Sequence, residues 1–273
     1  MVKGLDTIRS NFPNAMRSLM KEVLEDILLS VPKEKIDERI LNFKRDMELK
    51  NYDEVSMPTG VKRIKKFIEK FLHPLSDSLY IMDEEIVHPY QKNTLHLTNY
   101  LARFHIEESY RIMLMAHFDT REFADQDLDP QNKKLPVIGA NDGASGVAVL
   151  LALAEILHTL PPLNIGIDLL FVDGEDMGRR GDPENFGLGT QAFAQHVPEP
   201  RPQFAICLDM VADHEQHFLI EYFSLQYAPE VVQTIWTLAN DLGYPQFENR
   251  LGHAVMDDHY YLYKYAKIPA IDI

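Results

Sequence analysis

Cysteine is nearly absent from the 273-residue chain. Cys207 stands alone, so no intramolecular disulfide can form and no zinc site can be built from several thiolates. Its place inside an apolar run makes it an inert core residue. Basic residues are in deficit as well, 27 Lys and Arg against 42 Asp and Glu, for a formal net charge of −15. A surface of that sign repels phosphate backbones, so nucleic acid is not expected as a partner, and a cationic peptide amine suits it better. Long uncharged apolar runs are missing too. No segment is long enough to span a bilayer, and Met1-Val-Lys-Gly-Leu-Asp-Thr-Ile-Arg-Ser at the N-terminus lacks the apolar centre of a signal peptide. No membrane partner is expected, and the cytoplasm is the default location, with export left open.

With 45% hydrophobic residues, the chain can bury one substantial core, which favours one α/β domain over two. Helical spacing over 14–50, including Met20, Val23, Leu24, Ile27 and Leu28 before Pro32, marks residues 1–55 as an N-terminal helical extension of a main domain over 56–273. Over 61–72, Ile64, Phe67, Ile68, Phe71 and Leu72 share one helix face with lysines opposite. In so acidic a chain this reads as a surface helix packed on the core rather than a membrane-binding one. Alternating residues over 94–104 predict a half-exposed strand, followed by a strand over 111–118 and a polar loop over 121–136. A helix apolar nearly all round is predicted over 143–160, strands over 165–172 and 203–210, a helix over 229–242 and a last strand over 268–273. Strands alternating with helices predict a three-layer α/β/α fold around a mostly parallel, mixed sheet.

Three apolar runs end in an acid or an imidazole: Met113-Leu-Met-Ala-His117-Phe-Asp119, Leu169-Leu-Phe-Val-Asp-Gly-Glu175-Asp176 and Phe204-Ala-Ile-Cys-Leu-Asp209. Ligands of open α/β sheets bind where the carboxyl ends of such strands meet. His117 and Asp119 lie on one face of their strand, so the carboxylate can orient the imidazole, although a lone His-x-Asp is more often structural. Asp142, in Gly139-Ala-Asn-Asp-Gly-Ala-Ser-Gly146, precedes the buried helix and taken alone reads as its N-cap. Glu175-Asp176 taken alone reads as a solvated acidic turn, whereas burying Asp209 without a partner or a metal is costly. Jointly, one His and several carboxylates on converging strand ends make a donor set that zinc accepts. Other signals are weaker. The Gly187-Leu-Gly-Thr-Gln-Ala192 run follows a loop rather than a strand, Ser145 lacks the Gly-x-Ser-x-Gly context, and Pro130 and Pro136 spoil a calcium loop begun by Asp125, Asp127 and Asp129.

The chain also resembles the zinc-dependent M28 peptidases, and among them the bacterial branch similar to glutaminyl-peptide cyclotransferases. The matching motifs are Ala116-His-Phe-Asp-Thr-Arg121 with Ala124-Asp-Gln-Asp127, Gly139-Ala-Asn-Asp-Gly-Ala-Ser-Gly-Val147, Phe171-Val-Asp-Gly-Glu-Asp176, Leu188-Gly-Thr190, Leu208-Asp-Met-Val-Ala-Asp213 and Asp257-Asp-His259. The resemblance implies a zinc exopeptidase-like (phosphorylase/hydrolase-like) fold and one or two zinc ions. It makes Asp142 a zinc ligand, bridging when two metals are bound, with Asp176 on one metal and His117 and Asp209 completing the other position. Glu175 becomes the general base and acid, and Asp257 joins it and Asp209 in a hydrogen-bond network. Many aminopeptidases of the family carry Ser at the position of Asp257, so Asp-Asp-His tilts the expectation toward a cyclase. Family members continue past the strand matching Ile268-Pro-Ala-Ile-Asp-Ile273 into a Trp-His-Thr-like motif that supplies a His ligand of the catalytic zinc. The expectation is therefore a domain lacking its C-terminal end, with only Asp142 and Asp176 for that metal. His259 and His253 are the substitutes to consider, and the family analogy makes His259 structural.

The expected substrate is a peptide N-terminus. On the cyclase expectation, an N-terminal glutamine becomes pyroglutamate with release of ammonia, Glu175 moving the proton. On the alternative, an M28 aminopeptidase hydrolyses the N-terminal residue with the same Glu175 as base. A third expectation of another class is an impaired pseudo-enzyme that binds a peptide or partner without turnover.

Overall fold

The continuous apolar runs become strands that serve two cores at once. In a computed structural model, which describes residues 57–161 and 163–273, the chain forms helix α1 (Met57–Leu72), strands β1 (Ser78–Val87), β2 (Thr94–Phe104) and β3 (Arg111–His117), and helix α2 (Ala144–Thr159). Strand β4 (Gly166–Val172), helix α3 (Leu188–Phe193), strands β5 (Ala205–Cys207) and β6 (Phe218–Ile220), and helices α4 (Tyr222–Tyr227) and α5 (Pro229–Asp241) follow. Strand β7 (Phe247–Leu251), helix α6 (Asp258–Ala266) and strand β8 (Ala270–Asp272) complete it. The helical pattern over 14–50, and with it the extension over 1–55, lies outside the described residues. Among the described residues no helix is long and apolar enough to cross a membrane.

Six strands form one sheet in the order β1-β2-β4-β3-β5-β8. The β1/β2 and β2/β4 pairs are antiparallel, while β4/β3, β3/β5 and β5/β8 are parallel. Because side chains alternate across a strand, Ile112 and Ala116 of β3, Leu169 and Phe171 of β4, Ile206 and Ile271 face one core. There they meet Ile68 and Leu72 of α1, Val147, Leu150 and Ala154 of α2, and Val232 and Ile235 of α5. Met113, Met115, Leu170, Val172, Ala205, Cys207 and Ala270 face the other, against Phe193 of α3 and Leu262 and Ala266 of α6. Each run is apolar at every position because helices cover both faces, which is the three-layer arrangement.

Strand β2 departs from the half-exposed expectation. It lies inside the sheet, and its polar residues Thr98, Asn99 and Arg103 are buried along with Leu97, Tyr100, Leu101 and Phe104. Each of these three residues has a partner, as burial requires. Thr98 N–H donates to Asp173 Oδ2 (3.0 Å) and Asn99 Nδ2 to the Gly189 carbonyl (2.8 Å), while Asn99 Oδ1 accepts from Asp173 N–H (3.0 Å). The Arg103 guanidinium donates to the carbonyls of Pro198, Glu199 and Pro200 at 2.8–3.0 Å. The run over 203–210 contributes only the three-residue ladder of β5. Beyond it Leu208 N–H still reaches the Met115 carbonyl (2.9 Å) and Asp209 N–H the Ile273 carbonyl (3.1 Å), so the backbone of Asp209 is held even outside the strand.

Candidate metal and proton-transfer site

The parallel strands β3, β4 and β5 end at one edge of the sheet, and there the chain concentrates its acids. His117, the last residue of β3, is 1% exposed. Its Nε2 lies 3.2 Å from Asp142 Oδ1 and 3.2 Å from Asp209 Oδ1, and its Nδ1 lies 3.6 Å from Asp119 Oδ1. The ligand atoms of His117, Asp142 and Asp209 all fall within 4.8 Å of one another. Asp119 also fixes the backbone after β4: its Oδ1 accepts from Glu175 N–H (3.0 Å) and its Oδ2 from Asp176 N–H (3.1 Å). One carboxylate thereby registers the β3 and β4 turns against each other.

Asp142 does not cap α2. The capping position is Gly143, at φ 86°, with no side-chain cap. A Cβ there would lie 2.6 Å from the Asp119 carbonyl and 3.2 Å from the His117 ring, so only glycine lets the helix approach His117 this closely. That approach turns the Asp142 carboxylate toward the imidazole instead of the helix amides. Ser145 serves structure, its Oγ donating to the Asn141 carbonyl (2.5 Å) and accepting from Val211 N–H (3.0 Å).

Asp176 stands beside this trio. Its Oδ1 pairs with Arg121 Nη1 (2.7 Å), while its Oδ2 is buried without a partner. Burial, reinforced by Asp142 and opposed by Arg121, pushes its carboxyl up to about 6. Glu175, 8% exposed, is pushed well above the carboxylate range by burial and then by the charge of Asp257. Asp257, 4% exposed, is raised to about 6 by burial and by Asp209. It caps α6 by accepting from Asp258 N–H, and Cys207 Sγ lies 4.0 Å from its Oδ1. For His117, burial alone lowers the imidazole, but the facing carboxylates of Asp119, Asp142 and Asp209 outweigh it and hold it well above its usual value. One imidazole, several carboxylates and an orphaned buried carboxylate oxygen are a donor set that fits zinc.

Neither substitute histidine joins this group. His259 is buried against Glu221, Nε2 to Oε2 3.1 Å, and Glu221 also accepts from the backbone N–H groups of Phe223, Ser224 and Val255. His253 is exposed. Four contributors were not singled out from sequence. Arg121 lay inside a matched motif, but a lone arginine in a polar loop carries no periodicity. Asp258, buried, and Asp272, half-buried, are acids raised well above the usual range by desolvation and then by Asp257; only their adjacency to Asp257 and to a strand end hinted at this. Lys65 reaches from α1 to Asp173 Oδ2 (2.6 Å), a contact between elements far apart in sequence.

The model of peptidase family M28 matches residues 99–273. Among solved structures, the glutaminyl cyclase of Porphyromonas gingivalis is 32% identical, with a TM-score of 0.79 over 87% of this chain and 83% of that one. A Zn-dependent exopeptidase from Parabacteroides distasonis is 33% identical, with a TM-score of 0.79 over 89% and 85%. A leucine aminopeptidase precursor from Bacteroides thetaiotaomicron is 30% identical, with a TM-score of 0.80 over 89% and 86%. No curated protein sequence matches the chain.

Proposed function

Because the chain belongs to peptidase family M28, whose model spans residues 99–273, we propose that it is a zinc-dependent glutaminyl-peptide cyclotransferase acting on peptide N-termini. The observation that carries this reading is Asp257, an acid 4% exposed at the N-cap of α6, whose charge raises Glu175 and which is itself raised by that of Asp209. Both reactions need Glu175 to take a proton and give it back; the resemblance places Ser at the position of Asp257 in many aminopeptidases, so an acid there favours the cyclase. Asp142 and Asp176 would hold the catalytic zinc, and His117 with Asp209 would complete a second position sharing Asp142. Bound there, zinc supplies Lewis acidity to the carbonyl under attack.

The remaining steps belong to the chain. Glu175 accepts a proton from the α-amine as the amine nitrogen bonds to the γ-carbonyl carbon of the glutamine side chain, closing the five-membered lactam. Glu175 then delivers that proton to the side-chain nitrogen as the old carbon–nitrogen bond breaks, and ammonia leaves. Asp257 keeps Glu175 proton-hungry through its nearby charge, and Asp119 holds the Glu175 backbone by its amide. The net charge of −15 favours approach of a substrate that carries an amine.

A second reading, aminopeptidase hydrolysis with Glu175 activating a water, is favoured by one observation. His117, Asp142 and Asp209 converge within 4.8 Å, a place for one ion beside the one assigned to Asp142 and Asp176, and paired ions suit hydrolysis. Zinc-loaded protein given a glutaminyl peptide and an aminoacyl arylamide separates the two. Ammonia from the first without arylamine from the second supports the cyclase, arylamine alone transfers the conclusion to the peptidase, and silence on both overturns each of them.

A further inference from the structure

We propose that Arg121 is a positioning residue for the metal site: it binds one oxygen of Asp176 so that the other is presented to the metal, and it ties the loop over 121–135 to that ligand. The inference rests on the reading above that Asp176 is a zinc ligand. Among the described residues, Arg121 is the one arginine or lysine that ion-pairs with a ligand named there. Its Nη1 reaches Asp176 Oδ1 at 2.7 Å, while Asp176 Oδ2 stays buried and unpartnered. The same guanidinium grips Asp125 with two bonds, Nε to Oδ1 at 2.6 Å and Nη2 to Oδ2 at 3.1 Å. Three N–H groups of one planar fork thus fix two carboxylates at once, with a two-bond grip on Asp125 that a lysine cannot make. The side chain is 15% exposed, with the Phe186 ring centroid 5.6 Å from its Cζ, so its geometry is restrained on several sides. The loop is closed on itself where Ala124 N–H meets the Leu135 carbonyl (2.9 Å). Asp125, next to that closure, is where Arg121 attaches it to the site.

The test measures zinc affinity by competition with a chromogenic chelator, together with melting of the metal-free proteins, for the wild type, R121M, R121K and D125N. R121M is expected to bind zinc about 10–100-fold more weakly, as loss of a partner that orients a ligand does. R121K should fall between R121M and the wild type, because it restores one contact and not the fork. D125N should weaken zinc binding by much less than R121M and be cut faster by trypsin after the exposed Lys133 or Lys134, since it loosens the loop tether and leaves the Asp176 contact. R121M binding zinc as tightly as the wild type would overturn the proposal. D125N losing as much affinity as R121M would overturn it too, by placing the effect in the loop rather than in the Asp176 contact. If R121M does not fold, R121K against D125N decides in the same way. A wild type that binds no zinc overturns the underlying reading and this inference with it, an outcome distinct from normal zinc binding left untouched by R121M.

Discussion

Glu175 sits where ionisation is opposed, by burial first and by the charge of Asp257 next, and that setting suits a group that must both take and release a proton near neutral pH. Replacing it with Gln keeps the shape and removes the proton relay. The E175Q protein is expected to lose about 10²–10⁴-fold in kcat while retaining its zinc, read by turnover assays alongside metal analysis. Asp257 acts on Glu175 through charge. Removing that charge in D257N lets Glu175 ionise more readily, so the acid limb of the rate profile should move to lower pH. A rate–pH profile of D257N that superimposes on the wild type's would remove Asp257 from the relay.

At the scale of elements, helix α2 is pressed onto the sheet edge through glycines. A Cβ on Gly146 would fall well inside contact distance of the Leu208 carbonyl and of the Ala116 side chain, and backbone cannot step aside as a side-chain tip can. G146A should therefore destabilise the protein by about 1–3 kcal/mol through overpacking, with the shift in Tm as the measurement. The strands that bear the site were legible from their apolar runs, because burial on both faces removes the polar alternation; the buried exceptions, Arg111 of β3 and Asp168 of β4, pair with each other at 2.7 Å. Strand β2 was misread for the reverse reason. Thr98, Asn99 and Arg103 look solvent-facing in sequence, and only the carbonyls and carboxylate they meet, from residues far along the chain, make them interior. Helix α6, over Asp258–Ala266, was not predicted, since Asp-His-Tyr-Tyr-Leu-Tyr-Lys-Tyr-Ala carries a weak apolar stripe and its start depends on the Asp257 cap. The family motif pointed Asp142 toward His117, beside which its carboxylate lies at 3.2 Å, whereas its own local context pointed to a cap that the fold does not use.

Across the whole molecule, the acids drawn to one sheet edge make stability depend on pH and on cation. Asp173, Asp176 and Asp257 are each raised to about 6, so the folded state holds their protons more tightly than the unfolded chain does. Their contribution is present below the ordinary value of 3.8 and is lost as pH rises through about 6. His117, also raised, acts in the same sense at higher pH. Glu221, lowered to about 2 by its His259 and backbone partners against the pull of burial, acts oppositely, its contribution being lost as pH falls from 4.5 toward 2. The metal-free protein should accordingly lose Tm from about pH 4 to about pH 6, and zinc at 100 times its Kd should restore about 2.7 kcal/mol. A Tm of the metal-free protein that rises over that interval would contradict this assignment of buried protons. The most direct test of the account as a whole is the product formed from one peptide with an N-terminal glutamine by the zinc-loaded protein, identified by mass. The account expects a full-length peptide that has lost ammonia and ends in pyroglutamate. A peptide shortened by its first residue, with free glutamine in solution, would contradict it.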